Sequence, residues 1–325
     1  MTGRNFPVND QAWSEWPAPA KLNLFLRITG RRDDGYHNLQ TVFQLLEWGD
    51  TIRLRLRTDG QLHVLSAGKY GVPAKQDITL RAAEALQSAT GTGQGADIEV
   101  IKRVPLGGGF GGGSSDAASV LVGLDAIWGL SLGIDALAEI GLRLGADVPV
   151  FVRGNNSWGE GVGECLTPIQ LPEAWYLLID SGIQVPTREL FQSPQLTRSQ
   201  KLVKIEGYVS GSLLENAFEP VVRQLQPRID LVFRHMARYG RVALTGTGGG
   251  CFMRFASQEA AAVAQAGLPD GYRSWVVKSA PESTLLRALR QRIELVRMQA
   301  AGHNKITRAF RCTFEQNRRF DLHKI

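Results

Sequence analysis

Six of the seven residues from Gly107 to Gly113 are glycine, within the stretch PLGGGFGGGSSDAASVL (105–121), and they stand between an apolar alternating run and a helical pattern. A strand, a bare loop and a helix start, in that order, build a general anion site. The amides of a helix's first turn lack partners, the helix dipole is positive there, and absent Cβ atoms let phosphate oxygens reach the backbone. Ser114 and Ser115 follow at once, and either hydroxyl can cap the helix or reach a phosphate or its metal. A flexible linker would use similar residues, but linkers are not usually wedged between packed elements. The stretch is read as a phosphate loop.

Phosphate loops differ in what surrounds their glycines. The Walker pattern ends in Gly-Lys-Ser/Thr, and no lysine stands between Lys102 and Lys201. Gly107, Gly109 and Gly112 satisfy the dinucleotide template G-x-G-x-x-G, yet so rich a run satisfies almost any glycine template, and a second helix follows where that fold needs an acid-bearing strand. The H-R-D and D-F-G motifs of protein kinases do not occur.

Elsewhere, AKLNLFLRI (20–28) alternates strictly and predicts a half-buried strand, with Leu22, Leu24, Leu26 and Ile28 inward and Lys21, Asn23, Phe25 and Arg27 on the other face. TIRLRLRTDGQLHVL (51–65) reads as a hairpin bent at Asp59-Gly60. Its Arg53, Arg55 and Arg57 share one face, the pattern of a solvated antiparallel sheet rather than a nucleic-acid stripe. Helices are expected over 78–88, over 134–146, and after the glycines, where Ala117, Val120, Leu121, Leu124, Ile127 and Trp128 form an apolar stripe. Strands are expected at 96–104 and at VPVFV after Asp147. From residue 172 the pattern restarts with strand WYLLID, a proline-bounded turn at VPTREL, helices near 213–226 and 229–238, and strand RVALT running into a second glycine loop, GTGGG. A helix and a strand close the body near residue 279. No internal repeat is visible. Two α+β halves joined around 155–170 are expected.

The 325 residues, 43% hydrophobic, suffice for a sizeable core. The formal charge of +6 sits in the tail: residues 290–325 hold nine Lys/Arg and three Asp/Glu, and the remaining chain carries 28 of each sign. Such a tail is more commonly solvated or disordered than RNA- or membrane-binding, so no obligatory nucleic-acid partner is expected. Cys165, Cys251 and Cys312 are odd in number and far apart, unlike a disulfide or zinc framework. No apolar run approaches the ~20 residues of a membrane span, and the first 20 residues lack a signal peptide's pattern, so a cytoplasmic protein is expected.

PLGGGFGGGSSDAA resembles the phosphate motif of the GHMP kinases, named for galactokinase and the homoserine, mevalonate and phosphomevalonate kinases. PAPAKLNLFLRITGRRDDGYHNLQTVFQLLEWGDTI, LGADVPVFVRGNNSWGEGVGE and LTGTGGGCF extend the resemblance over about residues 16–289. They narrow it to members that phosphorylate an alcohol of a cytidine diphosphate-linked substrate in isoprenoid-precursor synthesis. The resemblance implies a two-domain α+β GHMP fold with its site in the interdomain cleft: an ATP-binding domain over 16–160, a substrate domain over 161–289, and a basic extension, 290–325, without counterpart.

By the same resemblance, Pro105, Leu106, Gly107, Gly108, Gly109, Phe110, Gly111, Gly112, Gly113, Ser114 and Ser115 hold ATP, used with magnesium. Asp147 takes the proton of the substrate hydroxyl, and Lys21 stands beside it, keeping the carboxylate ionised and offsetting charge on the transferring group. Asn23 points the same way, toward the alcohol or the aspartate. Tyr36 stacks on cytosine, His37 recognises its polar edge, and Phe191 closes the sandwich, with Thr187 nearby. The chain departs from its relatives at Asp77, where they carry asparagine near the nucleotide. No acidic cluster announces a protein-held ion, and magnesium often keeps its waters and phosphate ligands.

Overall fold

A computed structural model describes residues 12–206, 208 and 214–298. A seven-stranded sheet runs β3-β4-β2-β1-β8, from β1 (Ser14–Arg31), β2 (His37–Arg57), β3 (Leu62–Val64), β4 (Gly95–Ile101) and β8 (Glu215–Asn216); β5 (Ser157–Glu160) pairs with β2 and carries β6 (Cys165–Pro168). A four-stranded sheet runs β11-β7-β10-β9, from β7 (Trp175–Asp180), β9 (Val242–Leu244), β10 (Gly250–Phe255) and β11 (Arg273–Lys278). Helices α1 (Ile78–Thr90), α2 (Gly112–Ile127), α3 (Ile134–Leu142) and α4 (Val148–Arg153) join one core with the large sheet, built on Trp16, Leu54, Ile98, Leu121, Leu124 and Phe151. The helices over Glu219–Leu225 and Pro227–Met236 pack on the small sheet through Phe218, Val222, Ile229 and Phe233.

A third apolar cluster joins the sheets. Phe25 stacks on Trp158 with ring centroids 5.6 Å apart, and Tyr176, Tyr208 and Phe252 complete it. Burying each such ring contributes about 1.5–3 kcal/mol, so the two sheets are held as walls of fixed spacing. The Leu46–Ser279 bridge and the bond from Ala280 N to Leu45 O, 2.7 Å, close the seam.

Four expectations change. Residues 51–65 are not a hairpin: β3 pairs in parallel with β4, which lies between it and β2. Asp59 binds Arg57 and the Gln61 amide, so it bends the chain without bringing β3 against β2. β4 occupies that edge because its Asp97 and Glu99 stand opposite Arg55 and Arg53, giving opposite-charge cross-strand pairs. VPVFV is the helix α4, not a strand. Pro149 sits in its first turn, where the missing N–H costs nothing, all five residues are buried, and Gly154 ends it in the left-handed conformation. The helix expected over 213–226 starts only at Glu219, after β8 has joined β1 at Phe25–Leu26.

The fourth change is in β1, which is buried on both faces and bulged between Asn23 and Phe25. A bulge inserts one residue and reverses the alternation beyond it. Leu26, expected to face away from Lys21 and Asn23, therefore shares their cavity. In the tail, 290–298 continue a helix over 284–298 that is largely exposed, with Arg292 over the ring of Trp16 at 4.6 Å. The rest of the tail, 299–325, lies outside the described residues.

Candidate active site

The two glycine loops interlock main chain to main chain. Gly109 has φ +75°, and a Cβ there would collide with the carbonyl oxygen of Thr245. A Cβ on Gly248 would lie 2.5 Å from the Gly109 nitrogen. Gly249 N donates to Gly107 O at 3.4 Å. Only bare residues permit this approach. The start of the first loop is tied down by Asp50, which accepts from Val104 N at 2.8 Å and pairs with Lys102, itself 2.8 Å from Asp116 on α2. Gly111 caps α2, and no side chain closes its first turn. The cap expected from Ser114 or Ser115 is thus not made; the Ser115 hydroxyl is buried without a partner among the described residues.

Lys21 Nζ lies 3.2 Å from Asp147 Oδ2, 2.5 Å from Asn23 Oδ1 and 3.1 Å from Gly109 O. An ammonium has three N–H donors, and all three are engaged. Asn23 Nδ2 donates to Thr41 Oγ1 at 2.8 Å, which turns the amide oxygen toward the lysine, and Asn23 N donates to Thr245 Oγ1 at 3.0 Å. Asn23 therefore orients Lys21 rather than Asp147. Phe43 lies beneath the ammonium, 5.7 Å to its centroid. Asp147 is the N-cap residue of α4 but makes no capping bond, so its carboxylate stays turned to the lysine, 35% exposed.

These groups line a cavity of about 1010 Å³ that also takes in Thr187, Phe191, Tyr36 and His37. At that end His37 stacks on Phe191, centroids 4.8 Å apart and planes 22° from parallel. No flat base fits between rings so close. Tyr36 stands on the rim, 65% exposed. His37 Nε2 is buried without a partner among the described residues. Burial, then the charges of Arg198 and Arg31, hold the imidazole below its usual pKa, so it is kept neutral. Thr187 Oγ1 and Thr247 Oγ1, 2.7 Å apart, tie helix α5 (Thr187–Gln192) to the second glycine loop. A smaller pocket of about 210 Å³ lies beyond the first loop, lined by Tyr70, Asp77, Ile78, Lys102, Leu106 and Gly113. There Asp77 caps α1 through Thr79 N at 2.9 Å.

Thr41 and Phe43 escape sequence reasoning as site residues. Thr41 and Phe43 are ordinary strand residues whose role follows from register with Leu26 and Asn23.

The fold is that of a GHMP kinase: residues 77–155 match the GHMP kinases N terminal domain, and residues 197–274 the GHMP kinases C terminal domain. The chain is 61% identical over 282 residues to the 4-diphosphocytidyl-2-C-methyl-D-erythritol kinase of Xanthomonas campestris pv. campestris (strain B100), covering 87% of this chain and 96% of that one. It is 54% identical over 278 residues to the enzyme of the same name from Xylella fastidiosa (strain 9a5c), covering 86% and 93%. The chain belongs to the 4-diphosphocytidyl-2-C-methyl-D-erythritol kinase family. A crystal structure of 4-(cytidine 5'-diphospho)-2C-methyl-D-erythritol kinase superposes with a TM-score of 0.68 at 30% identity, over 82% of this chain and 99% of that one. Homoserine kinase from Cytophaga hutchinsonii shares the fold, with a TM-score of 0.64 at 18% identity, over 86% and 98%.

Proposed function

We propose that this protein transfers the γ-phosphoryl group of ATP to the 2-hydroxyl of 4-diphosphocytidyl-2-C-methyl-D-erythritol, giving the 2-phosphate and ADP in non-mevalonate isoprenoid-precursor synthesis. The observation that carries the reading is the Lys21–Asp147 pair, 3.2 Å apart, set against the Gly109 carbonyl of the phosphate loop within one cavity. Asp147 accepts the hydroxyl proton, the alcohol oxygen forms its bond to the γ-phosphorus, and the bond from that phosphorus to the bridging oxygen of ADP breaks. Lys21 can exchange the Gly109 carbonyl, its one main-chain acceptor, for a γ-phosphate oxygen and so meet the charge of the transition state. The amides at the start of α2 hold the phosphates, and the smaller pocket beside Asp77 and Lys102 suits the nucleotide's base.

Magnesium would accompany ATP. It would be carried chiefly by the phosphates and by water, as magnesium commonly is. At the far end of the cavity, cytosine would part the His37–Phe191 stack and take the ring's place against Phe191, with Tyr36 closing over it and neutral His37 at its polar edge. An ATP-consuming reaction suits the cytoplasm; Cys165 and Cys251 are free thiols, as a reducing compartment would keep them. No described helix is long and apolar enough to cross a membrane.

The test is a coupled ADP-release assay with ATP, magnesium and a panel of alcohols. Turnover is expected with 4-diphosphocytidyl-2-C-methyl-D-erythritol and not with mevalonate or homoserine. Equal or better kcat/KM with either of the latter would overturn the reading.

A further inference from the structure

We propose that Arg31 and Arg188 form a two-sided clamp on the diphosphate of the cytidine substrate, a specificity element that rests on the function proposed above. Five charged side chains line the large cavity: Lys21, Arg31, Arg188 and Arg198 against Asp147. Lys21 has its three donors engaged. Arg198 spends its guanidinium on its own loop, donating to Phe191 O at 2.9 Å, Ser193 O at 2.7 Å and Leu196 O at 3.2 Å. The guanidinium groups of Arg31 and Arg188 form no hydrogen bond or ion pair with any described residue, whereas nearby arginines are matched, Arg27 by Glu215 and Arg32 by Asp34. The cavity therefore presents two unspent guanidinium forks.

Their placement is what a nucleoside diphosphate requires. Arg31 faces His37 across the β1–β2 ladder, and Arg188 precedes Phe191 by three residues on α5, which puts the two on one side of that helix. His37 and Phe191 are the rings that stack on each other. One arginine thus flanks each ring, the first from the large sheet and the second from a helix that the Thr187–Thr247 contact anchors to the glycine loop. A base held at this stack carries its phosphates one sugar away, within reach of both side chains. Guanidinium binds phosphate oxygens through paired, charge-assisted N–H bonds, which a neutral nucleoside cannot accept.

The test is calorimetric titration of the full-length protein with cytidine, CMP and CDP, for wild type, Arg31→Gln, Arg188→Gln and the double variant. Each substitution should weaken CDP about tenfold, as expected for hydrogen bonds to a charged group, and change cytidine affinity by less than about twofold. The preference of the wild type for CDP over cytidine should collapse in the double variant, and the KM for ATP should hold. Arg→Lys at both positions should recover part of the CDP affinity, since the charge returns without the fork. Equal losses for cytidine and CDP, or an unchanged CDP affinity, would overturn the clamp. A wild type that binds neither cytidine nor CDP would instead overturn the substrate reading beneath it.

Discussion

Replacing Lys21 by methionine keeps the aliphatic stem but takes the ammonium out of a site only 2% exposed. Asn23 Oδ1 and Gly109 O each lose a charged donor, worth about 1.5–3 kcal/mol apiece. Methionine needs no desolvated charge, which returns part of that loss, so stability should fall by only about 1–3 kcal/mol. Asp147 keeps about a third of its side chain in contact with water, so losing its partner adds little. The transition state fares worse. Removing one preorganised group that meets developing charge costs about 10²–10³ in kcat, or roughly 3–4 kcal/mol. Asp147→Asn should lower kcat by about 10²–10⁴ while ATP still binds. Lysine and aspartate serve one proton and one developing charge, so the double variant should lie within about tenfold of the worse single variant rather than at the product of the two. Coupled ADP release gives kcat and KM for each protein, and thermal melts show which remain folded. A folded Lys21→Met protein with kcat within about threefold of wild type, or multiplicative losses in the double variant, would refute the pair as a catalytic unit.

Phe191→Ala should raise KM for the cytidine substrate by about 5–150-fold, the equivalent of ~1–3 kcal/mol of stacking, and leave that for ATP alone; an equal rise for both would refute the stacking role. Gly248→Ala sets a methyl group 2.5 Å from the Gly109 nitrogen, so the two loops must separate, and kcat/KM for ATP should fall by about tenfold or more; wild-type kinetics would show that the interlock does not position the nucleotide. The His37 imidazole should titrate below 6.5 in a ring-resonance NMR experiment, since burial and two arginines disfavour its charged form. The unfolded chain then takes up the proton first, so this residue lowers stability as pH falls below about 6.5 and has no effect above it. A midpoint at or above 6.5 would refute the assignment, and Arg31→Gln should move it upward.

Where signals are local, the chain can be read directly. The glycine loop, the apolar stripe of α2 and the strands at 96–101 and 175–180 follow from composition and periodicity, because each element's neighbours in sequence decide its shape. The six residues of α4 mislead for the same reason: valine, phenylalanine and valine favour a strand locally, and only burial among α2, α3 and the sheet makes them a helix. The placing of β4 between β2 and β3 depends on charge pairs with Arg53 and Arg55, contributed by residues some forty positions away.

In the site, the presence of a lysine, an asparagine and an aspartate is a property of the sequence, but their meeting is not. Lys21 and Asp147 lie 126 positions apart and close to 3.2 Å because β1 and α4 flank the same loop. The β1 bulge that turns Leu26 to the cavity, the Thr41 bond that aims Asn23 at the lysine, and the interlocking of two glycine loops are matters of register and packing. Alternation and motif report what each residue prefers; only the folded chain, by choosing which distant backbones touch, decides which preferences are met.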